Sequence, residues 1–166
     1  MGTRIEHRAE FTAGLADAYV AVAGEDALRA RLERLGGHDA TLLSYDASDG
    51  LLRYELRQGI SADKLPAAIR TLHKGDLMVN RTQTWRRNGD GYAGDASVEV
   101  RGVPGEITAR TALIGDDARS VLRTDGEVTV RIPLFGAKLE SVIVEQVTKL
   151  LEREAEFTAK WLTEAG

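Results

Sequence analysis

Cysteine is absent from this chain of 166 residues. Disulfides, thiolate catalysis and cysteine-based zinc sites are therefore excluded. Basic charge is in deficit, with 22 Lys and Arg against 26 Asp and Glu, a net charge of −4. Such a chain has no electrostatic hold on the phosphates of DNA or RNA. No apolar run approaches the ~18 residues of a membrane-spanning helix. Residues 1–8 lack the apolar core of a signal peptide, so a cytoplasmic location is expected. His7, His38 and His73 show neither HxH nor HExxH spacing, and no metal or other cofactor is expected. Aromatic residues are scarce, at 5%. What is present is an ordinary globular composition, 43% hydrophobic and 29% charged. A chain of this length buries roughly two-thirds of its unfolded surface. The expectation is a single domain over residues 1–166.

Ile5, His7, Ala9 and Phe11 alternate with Arg4, Glu6, Arg8 and Glu10, the period-two pattern of a strand over residues 3–11. Thr12 is placed to cap a helix over the alanine-rich residues 14–23, which stops at Gly24. A second helix is expected over 25–35, with Leu28, Leu32 and Leu35 as its stripe and Gly36-Gly37 as its stop. From 38 to 132, strand-like runs are divided by Asp49-Gly50, Asn88-Gly89-Asp90-Gly91, Val103-Pro104-Gly105 and Gly115-Asp116-Asp117. All four have turn chemistry. Residues 61–74 interrupt this region with a predicted helical turn around 65–72, capped by Ser61 or Asp63. Residues 136–164 predict one helix of about 42 Å. Its stripe contains Leu139, Val142, Ile143, Val147, Leu150, Leu151, Phe157, Trp161 and Leu162.

Parity predicts the strand register. A turn centred on Gly89-Asp90 places Arg87 opposite Tyr92, Trp85 opposite Gly94, Gln83 opposite Ala96 and Arg81 opposite Val98. Tyr92, Ala96, Val98 and Val100 then share a face with Leu77, Val79 and Trp85. Turns at Val103-Pro104 and Asp116-Asp117 carry that face to Ile107, Ala109, Thr111 and Leu113, then to Leu122, Thr124, Val128, Val130 and Ile132. A one-residue slip would turn the whole face outward. The last strand is expected over about 118–132, with Asp125-Gly126 marking a bulge or a further turn.

An antiparallel sheet with one apolar face needs a cover. The C-terminal helix is the only element long enough to supply it. Many inward residues are small: Gly94, Ala96, Ala109, Thr111 and Thr124. Two arrangements remain open. Either the helix spans an unfilled cavity, the usual form of a ligand site, or Phe157 and Trp161 fill the space as packed core.

Catalytic motifs are thin. Residues 89–94 match GxGxxG, but they join two antiparallel strands, so they are hairpin residues and not a dinucleotide fingerprint. Asn80-Arg81-Thr82 is a glycosylation sequon in mid-strand. No GxSxG elbow exists, and Ser44, Ser97 and Ser141 have no base nearby in sequence. His7 shares a face with Ile5 and Ala9; it is either a cavity base or a histidine hydrogen-bonded at a sheet edge, and the second reading is preferred. Glu154 falls among 147, 150, 151, 157 and 158 and reads as the edge of the helix stripe. Arg86-Arg87 beside Trp85 read as a solvated pair at a hairpin end.

The order β-α-α, antiparallel meander, long C-terminal helix resembles the helix-grip fold of the START-like superfamily. Leu65-Pro66, Gly75-Asp76-Leu77 leading to Trp85, residues 102–105 (Gly-Val-Pro-Gly) and residues 133–140 (Pro-Leu-Phe-Gly-Ala-Lys-Leu-Glu) are similar to an uncharacterised actinobacterial branch of it. The resemblance implies an α+β fold: a curved antiparallel sheet of about seven strands wrapped around the C-terminal helix, with two short helices after the first strand. It also implies a pocket between sheet and helix for a hydrophobic or amphipathic molecule.

On this reading the chain is a binding or carrier protein for a lipid, polyketide-like compound or isoprenoid. The expected pocket residues are His7, Tyr54, Arg81, Gln83, Trp85, Tyr92, Val98, Thr111, Leu122, Leu139, Ile143 and Val147. Arg81 and Gln83 are expected to anchor the ligand's polar end. A buried Arg81 needs an acceptor, either Glu154 or the ligand itself. A cyclase or hydrolase in the same cavity, using His7, Arg81 and Gln83, is a second reading. A ligand-free structural or protein-interaction domain is a third. Catalysis needs an acid–base pair within reach of one point, and the sequence shows none.

Overall fold

The computed structural model describes residues 2–65, 67–72 and 74–165. Pro66 and His73, and the side chain of His38, lie outside the described residues. In chain order the elements are β1 (Thr3–Phe11), α1 (Leu15–Ala23), α2 (Glu25–Leu35), β2 (His38–Ser48), β3 (Leu51–Ile60), α3 (Ala67–Leu72), β4 (Leu77–Asn88), β5 (Gly91–Val100), β6 (Gly105–Gly115), β7 (Ser120–Val130) and α4 (Gly136–Ala165). Among the described residues the strands make one seven-stranded antiparallel sheet, ordered β1-β7-β6-β5-β4-β3-β2. The sheet is curved and wraps around α4. This is the α+β helix-grip architecture that the order of elements predicts.

The register follows the parity argument strand by strand. Gln83 pairs with Ala96, Ala96 with Ala109, Thr111 with Thr124 and Leu113 with Leu122. β1 completes the sheet on β7, with His7 opposite Thr124 and Ala9 opposite Leu122. Side chains alternate between faces along a strand, so these pairs bring one apolar face together under the helices. Leu113, Val128, Trp85 and Leu56 are all fully buried on it.

Three expectations change. Asp125-Gly126 is neither bulge nor turn: Asp125 pairs with Arg110 and Gly126 with Ala109, in unbroken register. The glycine is needed for close approach, since a Cβ there would lie 2.6 Å from the Thr108 carbonyl oxygen and 2.8 Å from the Ala109 Cβ. Thr12 does not cap α1. The N-cap residue is Gly14, and the Leu15 N–H donates to the Asp116 carbonyl, 2.9 Å away in the β6–β7 turn. A tertiary acceptor has replaced the local side-chain cap. Residues 61–74 split into a 3-10 turn at Ala62–Lys64 and α3, and Ser61 makes no side-chain capping bond.

α4 has 30 residues, about 45 Å of helix. Its first turn is tied down by Glu140, which accepts from the Val130 N–H at 2.9 Å and the Thr3 hydroxyl at 2.8 Å. Leu139 is buried, and half-buried Ile143, Val144, Val147 and Leu151 pack on Ile5, Val128 and Val130. Farther along, Glu154 and Thr158 are buried. Phe157 and Trp161 stack on each other, ring centroids 6.2 Å apart. Both stay half-buried, and neither lines the interior.

Candidate functional site

The interior has a polar centre. A second apolar cluster gathers around α1 and α2, with Leu28, Val22, Tyr54 and Trp85 among its buried members. Where it meets the cluster under the first half of α4, a cavity of about 50 Å³ remains. Its walls come from α1, α2, α4 and five strands, among them β1 with His7, β4 with Arg81, Gln83 and Trp85, and β6 with Thr111. Alternation along β4 sends 81, 83 and 85 to the same face. On α2, Arg31 lies three residues after Leu28 and beside Leu32, so the helix turns it inward with its apolar stripe.

Several of the polar groups are bound to one another. Arg81 donates to both oxygens of Glu154, Nη1 to Oε2 at 2.8 Å and Nη2 to Oε1 at 3.2 Å. Arg31 stands farther off, its Nε 4.0 Å from Glu154 Oε2, while its Nη1 donates to the Val22 carbonyl at 3.4 Å. Gln83 Nε2 donates to the Thr84 carbonyl at 2.8 Å and to Thr111 Oγ1 at 2.9 Å. Trp85 has no such partner. Its indole Nε1 is buried and has no acceptor among the described residues.

Glu154 is not the edge of the stripe. It is 9% exposed and stands at the centre of this network. Burial pushes its carboxyl up, but the charges of Arg81 and Arg31, the Arg81 hydrogen bond and His7 outweigh burial and hold it below the usual carboxylate range. The same carboxylate raises the already high Arg81 value, against the opposing effect of burial.

Of the residues predicted to line a pocket, His7, Tyr54, Arg81, Gln83, Trp85, Thr111 and Leu122 surround this cavity. Leu139, Ile143 and Val147 lie outside it, in the apolar contact between α4 and β1–β7. Val98 sits in β5 between Arg81 and Ile107. Tyr92 stacks on Tyr19, centroids 3.7 Å apart, and borders an open depression of about 440 Å³ with Arg87, Asp90, Asp116 and Asp117. His7 is half-buried on an edge strand, the position the preferred sequence reading gives it, lines the cavity, and makes no side-chain hydrogen bond to a described residue. Position 158 was expected on the buried stripe but not in the site, and Arg31 was not anticipated. For Arg31 the signal was available, an arginine at a stripe position of α2. No cluster of three His, Asp or Glu able to hold a metal occurs among the described residues, and none of their helices is long and apolar enough to cross a membrane.

Residues 6–162 match the family described as "Protein of unknown function (DUF2505)". The chain belongs to that family. An uncharacterized protein of Mycobacterium tuberculosis, Rv0481c, is 30% identical over 165 residues, which span 95% of this chain and 88% of that one. Among solved structures, TTHA0849 from Thermus thermophilus superposes with a TM-score of 0.66 at 7% identity, covering 99% of each chain. A START superfamily protein from Mycobacterium smegmatis gives 0.62 at 12% identity, over 96% of this chain and 98% of that one. Norcoclaurine synthase from Thalictrum flavum gives 0.60 at 14%, over 99% and 88%. Identities this low show fold alone. The fold is the START-like helix grip, which is compatible with binding proteins and with enzymes.

Proposed function

We propose that this family member binds a small amphipathic molecule between sheet and α4, as a cytoplasmic binding or carrier protein formed by one domain. The observation that carries this reading is the unpaired Trp85 Nε1 in a wall of the polar cavity. A buried donor without an acceptor costs about 1–3 kcal/mol, and a molecule in the cavity supplies the acceptor.

The volume limits what enters. About 50 Å³ takes a few waters or one polar head group, far less than the ~300–1,000 Å³ of sites that enclose a drug-sized ligand. The head group therefore occupies the cavity, and an apolar tail leaves it past half-buried Leu151. Binding is favoured over catalysis because the one carboxylate in the wall, Glu154, is already held through both oxygens by Arg81 and is not free to work with His7 as an acid–base pair.

The test is native mass spectrometry of the purified protein, followed by extraction and identification of whatever leaves with it. A stoichiometric amphiphile supports the proposal. A bare protein whose Trp85 emission ignores every added amphiphile overturns it.

A further inference from the structure

We infer that the polar end of the ligand is a carboxylate and that Arg31 receives it. This deepens the binding reading above and rests on it. The argument is a count of buried charge. Arg31, Arg81 and Glu154 all line the cavity, and Glu154 is the only carboxylate among the lining residues. Their side chains are 10%, 17% and 11% exposed. Two guanidinium groups therefore share one carboxylate, and the cavity wall carries one arginine more than it has carboxylates.

The sharing is also unequal. Arg81 takes both oxygens of Glu154 in a side-by-side pair. At 4.0 Å Arg31 is beyond hydrogen-bond distance, and its one hydrogen bond among the described residues is the 3.4 Å contact to the Val22 carbonyl. A guanidinium has five N–H donors in a planar fork, so most of those on Arg31 are unspent. Desolvated charge of this kind is ordinarily paired. The second unspent donor in the same wall is Trp85 Nε1. Unused donors and a surplus of positive charge complement an anion. A carboxylate suits them best, because it accepts two parallel bonds from a guanidinium fork and is small enough for this cavity. A cationic head group would face two arginines, and a neutral alcohol would leave the surplus charge unbalanced.

Isothermal titration calorimetry tests the inference with decanoate, decanol and decyltrimethylammonium, three probes of equal chain length and different head charge. The proteins are the wild type, Arg31→Met and Arg31→Lys. Decanoate should bind the wild type at least ~10-fold tighter than decanol, the size of a charged hydrogen bond, with decyltrimethylammonium weakest. Arg31→Met should erase the preference for decanoate while leaving decanol binding within about 3-fold, and Arg31→Lys should keep part of that preference. The wild-type comparison stands even if a variant does not fold. Equal binding of decanoate and decanol, or an undiminished preference in Arg31→Met, overturns the carboxylate assignment and leaves cavity binding in place. Failure of all three probes to bind overturns both.

Discussion

Arg81 of β4 and Glu154 of α4 are 73 positions apart in the chain and meet through two hydrogen bonds of 2.8 and 3.2 Å. Paired bonds fix the planes of both groups. The pair therefore locks the second half of α4 to the centre of the sheet, as Glu140 locks its first turn to the end of β7.

Breaking one side of the pair should be worse than removing both. Glu154→Leu leaves Arg81 buried without its counter-ion and should cost about 3–5 kcal/mol in urea unfolding. Adding Arg81→Met should recover most of that loss, since apolar replacement of a whole buried pair is often close to neutral. A double variant no more stable than Glu154→Leu would mean that Glu154 chiefly serves Arg31.

Acid should unfold the protein early. Glu154 is held below its ordinary value, and a depressed carboxyl contributes stability that is present above the unfolded-state value and lost as pH falls through the folded one. Two other carboxyls are shifted the same way. Glu140 is lowered by the Val130 N–H and the Thr3 hydroxyl, and Asp116 by the N–H groups of Ala118 and Arg119. Stability should be flat from neutral pH to about 5 and fall steeply below about 4, the range in which carboxylates titrate. Glu154→Gln should be less stable at neutral pH and show a shallower fall. An unchanged slope in the variant would remove Glu154 from the acid response.

Trp85, 2% exposed, lies edge-on to Tyr19 with ring centroids 6.2 Å apart. In a Trp161→Phe background its emission should be blue-shifted, and it should move toward longer wavelength when an acceptor reaches Nε1. A water-like maximum would contradict the register of β4.

Gly94→Ala should destabilise by about 1–3 kcal/mol, the usual cost of overpacking. The new methyl would run into the Thr84 carbonyl and stand 2.9 Å from Gln83 Nε2 and 3.0 Å from Thr111 Oγ1. Thermal unfolding should show the loss, and amide signals of Gln83 should move in an NMR spectrum. Wild-type stability with an unmoved Gln83 would mean that the strands part easily here.

Much of this was legible in the chain. Asn88-Gly89-Asp90-Gly91 marks a two-residue hairpin turn, and once it is placed the period of two carries the register through β5, β6 and β7. A sheet with one buried face tolerates no slip, which is why parity sufficed. Glu154 was legible as a possible acceptor for Arg81, because both were out of character on apolar faces. Arg31 was legible only as an arginine at a stripe position of α2, and that position does not say what it faces, because the meeting of α2 with α4 brings it to Glu154. Thr12 misled for a related reason: a carbonyl more than a hundred residues along the chain does the work of a local cap. The size of the cavity was not legible at all, since it is set by how the side chains of α1, α2, α4 and the sheet meet in three dimensions.

The pairing of β1 with β7 has a kinetic consequence. Residues 3–11 pair with residues 120–128, so β1 waits for more than a hundred further residues of synthesis before its partner exists. Contacts this remote slow folding. Through that interval Ile5, Ala9 and Phe11 have no cover. They are interleaved with Arg4, Glu6, Arg8 and Glu10, which pair with each other along the strand at 2.9 and 2.7 Å. Charges on a waiting strand discourage it from adding to the sheet of another molecule. The alternation that sets the strand's faces in the finished protein thus also guards the nascent chain until β7 is made.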